Sequence, residues 1–417
     1  MSETYETIVT SRSSSSSSSS KNSLTHSIDS SSSSYDEPFF LYESEYDEKS
    51  YTTTTSDDDD HNNPSSSYKT LNDGKYEILS RLGKGGGGVV YRCYDTTEKE
   101  YVAIKVARKS YERDELRDEI DCINRIQSYD TSQSFRFTEI KKVFQDTDEE
   151  NDGRILCTVM PEYGSTLWQY IEKNRFRGMK MSTIRNLAYQ ILQTIQFMHK
   201  HRWVHNDIKS DNILFETPSR KGHVVLIDFG KATRSYKMCD FLSGTVPYLS
   251  PENILEDARL LSCDSLHPFN NYMKKVPYDP RARDIFALGL VFYEMYTGSS
   301  IFHDCFVVGG PNQHVMVDVD DSHLTWFDRI GYLCRFVEDV PPYILPFIET
   351  IGGKYNNSRT LLEQRQFGFE PPPLSQVVRE EHEEFYLLLR GMLDLNPIKR
   401  MTATECLGHS FLRRKTF

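Results

Sequence analysis

Apolar positions along this chain follow two different periods, and the change from one to the other divides the sequence. Between Tyr76 and Met160 the apolar runs are short and strand-like: Tyr76-Glu77-Ile78-Leu79, Val102-Ala103-Ile104-Lys105 and Ile155-Leu156-Cys157-Thr158-Val159-Met160. One helix interrupts them, from Arg113 to Ile126, where Leu116, Ile120 and Ile123 mark an apolar face at helical spacing. Beyond Gly164 the helical period takes over. Its longest segment, Met181 to His201, carries Ile184, Leu187, Ala188, Ile191, Leu192, Ile195 and Met198 on one face, a stripe that reads as core. The pattern predicts an α+β architecture, with a β-rich region at about 76–160 and a helical region at about 165–412. No uninterrupted apolar run reaches 18 residues, so no membrane span is expected.

Composition changes the picture mainly at the N-terminal end. Residues 1–75 hold 23 serines and few aliphatic side chains, with 14 acidic against 5 basic groups. Such a segment cannot bury enough apolar surface to offset its ordering entropy, so a disordered, Ser-rich acidic tail is expected. That segment carries about −9 of the chain's −12. The balance argues against direct nucleic-acid binding, because phosphate backbones reward Lys and Arg. Asp57 to Asp60, just after Thr52–Ser56, read either as an acid-directed phosphoacceptor cluster or as a solvated spacer. The polar N-terminus lacks the apolar stretch of a secretory signal. Eight scattered cysteines without a CxxC pair read as reduced, mostly buried thiols of an intracellular protein.

The candidate chemistry draws on both regions. His205-Asn206-Asp207-Ile208-Lys209-Ser210-Asp211-Asn212 is followed by Asp228-Phe229-Gly230. The set supplies one carboxylate, Asp207, to accept a proton from an attacking hydroxyl, and one cation, Lys209, beside a transferred phosphoryl group. Asn212 and Asp228 supply hard oxygens of the kind Mg²⁺ prefers. Phosphoryl transfer needs little more, since its loose transition state leaves the protein to supply positioning and charge. Upstream, Leu82-Gly83-Lys84-Gly85-Gly86-Gly87-Gly88-Val89-Val90 fits GxGxxGxV, with Gly83, Gly85 and Gly88 opening the backbone to phosphate oxygens and Leu82 and Val90 flanking the nucleotide. Lys105 is the candidate phosphate clamp. Its carboxylate partner should come from the helix of Arg113–Ile126, which carries both Glu115 and Glu119.

These motifs, in this order, resemble the eukaryotic protein kinases. The resemblance implies a two-lobed kinase fold over 76–412, preceded by the tail of 1–75, with ATP and Mg²⁺ as cofactors and a protein serine or threonine as acceptor. It also implies Glu119, in the Asp118–Ile123 stretch nearest the family pattern, as the partner of Lys105 with Glu115 the alternative, an activation segment ending at Ser250-Pro251-Glu252, an aspartate, Asp284, bracing the catalytic loop, and a buried Glu252–Arg400 pair. Ser235, Tyr236, Ser243 and Thr245 are candidate phosphosites, each of which reads more readily as ordinary polar loop.

Within the kinases, Tyr163–Asn212 and Pro371–Leu412 resemble the LAMMER (CDC-like) kinases of the CMGC group, although Pro346–Gly353 keeps only part of the name-giving signature. That closer resemblance implies a nuclear, monomeric enzyme, able to autophosphorylate tyrosine, acting on arginine/serine-rich splicing factors. The alternatives are a Ser/Thr kinase of the wider CMGC group with other substrates, and a pseudokinase scaffold, which the intact Lys105, Asp207, Asn212 and Asp228 argue against. Three departures stand out. Asn206 replaces an arginine that in many kinases binds a phosphorylated activation loop; the LAMMER kinases lack it too, so the resemblance predicts activity without loop phosphorylation. Leu249 replaces another arginine ahead of Ser250. Gly87 replaces the aromatic loop tip, which predicts a floppy lid and weak ATP affinity. An insertion near 256–275 separates Glu252 from Asp284.

Overall fold

Antiparallel pairing of alternating apolar segments builds the first lobe. In the computed structural model, which describes residues 70–130, 135–147, 153–216, 222–235, 244–255, 278–301, 323–339, 341–342, 344 and 372–413, six strands form one sheet. They are β1 (Thr70–Leu71), β2 (Tyr76–Gly85), β3 (Gly88–Asp95), β4 (Glu100–Ala107), β5 (Lys142–Asp146) and β6 (Ile155–Pro161), in the order β1-β2-β3-β4-β6-β5. Alternation sends Tyr91, Cys93, Val102, Ile104 and Val106 into the lobe's core, where Tyr76 stacks on Phe144 at 5.5 Å. The opposite face keeps Val90, Ala103 and Lys105 free to look across the cleft. Helix α1 (Ser110–Gln127) packs Leu116 against Ala107 and Leu156.

Three boundaries differ from the sequence reading. Residues 70–75, which the sequence reading assigns to the tail, include strand β1 (Thr70–Leu71). Leu71 is buried and β1 pairs with Tyr76 and Glu77 across a turn whose Asn72, Asp73 and Gly74 all have positive φ. Asn and Asp tolerate that conformation, which is why they sit there. Helix α1 starts three residues before Arg113, because Glu112 turns back to accept from the backbone N–H groups of Arg108 and Lys109 at 2.9 and 3.0 Å. Strand β2 continues far beyond Leu79, and the glycine run is strand except for a two-residue turn at Gly86-Gly87.

The second lobe is helical. Helix α2 (Leu167–Lys173), α3 (Met181–Lys200), α4 (Arg281–Thr297), α5 (His323–Val337), α6 (Glu383–Met392) and α7 (Ala403–Leu407) surround one core. The whole apolar face expected for α3 is buried, and Thr194, Phe197 and His199 are buried with it, since α4 and α7 flank the helix. Two small ladders hold the loops at the cleft: β7 (Trp203–Val204) with β10 (Thr233–Arg234), and β8 (Ile213–Phe215) with β9 (Val224–Leu226). No helix among the described residues is long and apolar enough to cross a membrane. The tail to residue 69, Tyr236, Ser243, the insertion near 256–275 and Pro346–Gly353 lie outside the described residues.

Candidate active site

The glycine-rich hairpin roofs the cleft. Pairing runs Gly83↔Val90, Lys84↔Val89 and Gly85↔Gly88. A Cβ at Gly83 or Gly85 would meet nothing within 4 Å, so the fold leaves those positions open on the ligand side. Gly88 is different. Its φ is +121° and a Cβ there would stand 2.4 Å from the Val106 carbonyl oxygen, so strand packing itself requires glycine. Leu82 is half-exposed and Val90 partly buried, both at the hairpin's sides. The turn rests over Lys105: a Cβ at Gly87 would lie 3.2 Å from its Nζ.

Lys105 projects from β4, and its Nζ donates to Glu119 Oε2 at 2.6 Å, with Asp228 Oδ1 at 4.0 Å. Glu119 is therefore the partner, and Glu115, one turn earlier, lies near the hairpin tip. Burial alone would pull the Lys105 ammonium down, but Glu119 and Asp228 outweigh it and hold the group above its ordinary value. The second oxygen of Glu119 accepts from the Phe229 N–H at 3.3 Å. One carboxylate thus ties β4 to the Asp-Phe-Gly segment that follows β9. Phe229 is buried edge-on to His205 at 4.9 Å. Its anchoring turns Asp228 outward at φ +63°, with two-fifths of its side chain exposed to the cleft.

Between β7 and β8, the loop from His205 to Asn212 presents Asp207. The Thr245 hydroxyl donates to Asp207 Oδ1 at 2.7 Å and accepts from Lys209 Nζ at 3.1 Å. Lys209 and Lys231 stand 3.8 and 3.4 Å from Asp207 Oδ2. Burial pushes the Asp207 carboxyl up, but the Thr245 hydrogen bond and the two ammonium groups more than offset it, leaving it below the usual carboxylate range. Asn212 donates Nδ2 to the Asp207 carbonyl at 2.9 Å, which leaves its amide oxygen as the atom with acceptor capacity toward a ligand.

Buried groups of α4 fix this loop. Asp284 accepts from the backbone N–H groups of His205 and Asn206, both at 2.9 Å, and from His199 Nε2 at 2.8 Å. Full burial would raise its acid strongly, yet the bond from His199 and the charges around it keep Asp284 depressed and ionised. Glu252 and Arg400 pair bidentately at 2.6 and 2.9 Å, neither side chain exposed. Leu249 is buried and faces the core. Asn206 donates to the Lys231 carbonyl at 3.0 Å and to Thr233 Oγ1 at 2.9 Å.

A third buried acid, Glu294, was not singled out by the sequence. Both of its oxygens accept from the Tyr248 hydroxyl, at 2.9 and 3.0 Å, and Ser210 Oγ lies 3.0 Å from that hydroxyl. Burial pushes its carboxyl up to about 8, the hydrogen bonds from Tyr248 and Ser210 acting against it. Its folded value lies above an ordinary glutamic acid's about 4.3. Its contribution to stability is therefore complete below about pH 4 and is lost as pH rises toward about 8. Glu294→Gln is expected to flatten the fall in stability between about pH 5 and 8, by roughly 1.4 kcal/mol per pH unit where the group titrates. Urea unfolding at several pH values checks this, and parallel curves for the two proteins would contradict it.

The structure thus brings Lys105, Glu119 and Asp228 together above the cleft floor, and Asp207, Lys209 and Asn212 on that floor. The sequence marks Thr245 as no more than a candidate phosphosite or polar loop residue and does not mark Lys231. Only the folded activation segment carries them to Asp207, so no local pattern marks them.

A cleft between a glycine hairpin with its paired lysine and a floor of aspartate, lysine and asparagine defines a phosphotransferase of the protein kinase kind. A family model of the protein kinase domain matches residues 76–412, and the chain belongs to that family. It is similar to the serine/threonine-protein kinase AFC1 of Arabidopsis thaliana, 25% identical over 378 residues that cover 82% of this chain and 71% of that one. The dual specificity protein kinase CLK4 of Mus musculus is 26% identical over 371 residues, covering 82% of this chain and 67% of its own. Among solved structures, the PF14_0431 kinase domain superposes with a TM-score of 0.63 at 21% identity, covering 82% of this chain and 96% of that one, which shows the fold. The chain is a protein serine/threonine kinase, an enzyme of a family that uses ATP and a divalent metal and acts on protein substrates.

Proposed function

We propose that this kinase transfers the γ-phosphoryl of Mg²⁺-bound ATP to serine or threonine in arginine/serine-rich proteins, with Asp207 as the base. The observation that carries the catalytic part is the Thr245 hydroxyl, which donates to Asp207 at 2.7 Å while accepting from Lys209 at 3.1 Å. An aliphatic hydroxyl already sits against that carboxylate as an acceptor serine must. Asp207 takes the serine proton as the oxygen attacks, and Lys209 holds negative charge on the phosphoryl oxygens. Lys105, fixed by Glu119, clamps the nucleotide's phosphates under Gly83, Gly85 and Gly88, with Leu82 and Val90 beside the base. Asn212 and Asp228 offer a neutral and an anionic hard oxygen, a donor set that suits Mg²⁺, which prefers oxygen and keeps several waters. A metal ion held by Asn212 and Asp228 would supply positive charge beside the phosphates.

The substrate class rests on charge and likeness. Asp211 lies within electrostatic reach of Glu172 and Asp207, with Lys209 beside them, and these carboxylates near the acceptor hydroxyl favour basic peptides. The relatives named CLK and AFC point to the same group of kinases. A monomeric enzyme resident in the nucleus, where splicing factors gather, fits that reading. Labelled ATP with arginine/serine-rich, proline-directed and acidic peptides tests it. Preference for the first is expected by at least about tenfold, one bidentate charge pair's worth of discrimination. Preference for either of the others keeps the enzyme and removes the splicing-type substrate, as the buried Leu249 in place of an arginine would then explain.

A further inference from the structure

This chain is acidic overall, at −12, but one exposed stretch carries charge of the opposite sign alone. Lys173-Asn174-Arg175-Phe176-Arg177-Gly178-Met179-Lys180 joins α2 to α3 with four cations and no carboxylate. Arg175, Phe176, Arg177 and Lys180 are all exposed, Phe176 by 54%. Among the described residues, no carboxylate pairs with Arg175, Arg177 or Lys180. Trp168, itself partly buried, stands 6.0 Å from the Phe176 ring.

The backbone of this loop is held in a costly conformation. Arg175 and Phe176 have φ of +57° and +55°, a left-handed region that bulky side chains rarely adopt. Neighbouring groups impose it. The N–H groups of Arg175 and Phe176 donate to the carbonyls of Glu172 and Ile171 at 2.8 and 3.0 Å, and Asn174 Nδ2 donates to the Arg177 carbonyl at 3.0 Å. The Met179 N–H donates to the Met295 carbonyl, near the end of α4, at 2.7 Å. Gly298 lies so close that a Cβ on it would collide with the Phe176 carbonyl oxygen. The loop is therefore a fixed projection with its charges set in place. Strain of this kind persists where the surroundings over-determine it, and it gathers at ligand clamps.

The loop's position limits what it can meet. Helix α2 packs against Ser210–Asn212 of the catalytic loop, and Glu172, the residue before Lys173, lies within electrostatic reach of Asp211. The cationic loop thus opens directly off the carboxylates of the cleft floor. A partner crossing from one to the other must offer cations to Asp211 and Glu172 and anions to Arg175 and Arg177. Single-stranded nucleic acid offers a backbone of anions alone, which the floor repels. A peptide in which arginine alternates with phosphoserine offers both signs. Phosphoserine carries about −1.5 to −2 at neutral pH, and guanidinium groups match its oxygens in a bidentate fork. It is also what a serine kinase makes.

We propose that Arg175, Phe176 and Arg177 form a docking site for a segment of the protein substrate that already carries phosphoserine. Arg175 and Arg177 take the phosphate, and Phe176 covers the apolar stems of neighbouring arginines. A substrate modified once is thereby held for the next transfer. The inference rests on the arginine/serine-rich reading of the substrate.

Fluorescence anisotropy without ATP measures binding of the full chain to a labelled arginine/serine peptide, to the same peptide with two serines phosphorylated, and to a single-stranded RNA of matching charge. The parent is expected to bind the phosphorylated peptide at least about tenfold more tightly than the unmodified one, the worth of one bidentate pair. Arg175→Gln/Arg177→Gln should abolish that preference, and Phe176→Ala should weaken phosphopeptide binding at least about threefold. Melting temperatures should stay within about 2 °C of the parent's, as for exposed positions. For a short unphosphorylated seryl peptide, kcat/KM of both variants should stay within about twofold of the parent's. Equal binding of the two peptides by the parent would overturn the docking site. So would a preference that survives the double glutamine variant. Unchanged binding by Phe176→Ala would overturn it too, since a diffuse cationic cloud does not feel that ring. RNA bound more tightly than the phosphopeptide, and released by the same substitutions, would make this a nucleic-acid surface instead. Should transfer assays show no preference for arginine/serine peptides, the substrate reading beneath the inference fails; anisotropy, run without ATP, decides the docking site separately.

Discussion

Asp207→Asn is expected to reduce kcat for phosphate transfer by about 10²–10⁴-fold while leaving KM for ATP near the parent's value, the range typical of a lost general base. The reason lies in the partition of the cleft. Asp207 faces the Thr245 hydroxyl and two ammonium groups on the floor, whereas the phosphate clamp is Lys105 with Glu119 on the roof. Asparagine fills the same volume and can still meet Thr245, but it takes no proton. The carboxylate is depressed, so it is ionised and ready as an acceptor across the neutral range. Steady-state kinetics with a seryl peptide and thermal melting check this together. A protein that melts like the parent but transfers phosphate as fast would show that another group accepts the proton.

Arg400→Met is expected to cost about 3–5 kcal/mol of folding stability, because it strands Glu252 in a site from which water is excluded. Neither side chain of the pair is exposed, and the guanidinium also donates to the carbonyls of Asp394 and Ala282, both at 2.9 Å. The pH dependence should reverse as well. In the parent, burial pushes Glu252 up but Arg400 outweighs it, so its acid lies below the ordinary value. That contribution is present above the unfolded value of about pH 4.3 and is lost as pH falls through the folded one. Without Arg400, burial alone raises Glu252, and the variant should lose stability as pH rises from about 4.3 toward neutrality. Adding Glu252→Gln should recover part of the loss, since the unpaired charge is then gone. Denaturant unfolding between about pH 5 and 8 measures both effects, and a loss under about 1 kcal/mol would contradict the account.

Much of this site could be read from the chain because its chemistry is carried by short local runs. Lys105 sits on a strand with apolar alternation, and Asp207, Lys209 and Asn212 lie on one loop after a long amphipathic helix. Glu119 was separable from Glu115 only by likeness to kinases, since both share a helical face, and the fold decides it through the 2.6 Å contact with Lys105. Where the reading missed, the deciding partners are remote in sequence. Thr70 and Leu71 become strand because Tyr76 and Glu77 offer a ladder and Asp146 accepts from the Asn72 N–H at 2.6 Å. The glycine run reads as loop by composition, yet backbone pairing with Val89 and Val90 needs no side chains. Thr245 and Lys231 reach Asp207 from 38 and 24 residues away. Glu294 meets Tyr248 from 46 residues away.

The central claim is that Asp228, Asn212, Asp207 and Lys105 together make a working phosphotransfer site. The most direct measurement is transfer of labelled γ-phosphate from Mg²⁺-ATP to a seryl peptide by the full chain, beside Asp228→Ala. The account predicts phosphoserine formed in step with ADP by the parent, and loss of nearly all of it in the variant. Equal, background-level incorporation by both proteins would contradict it.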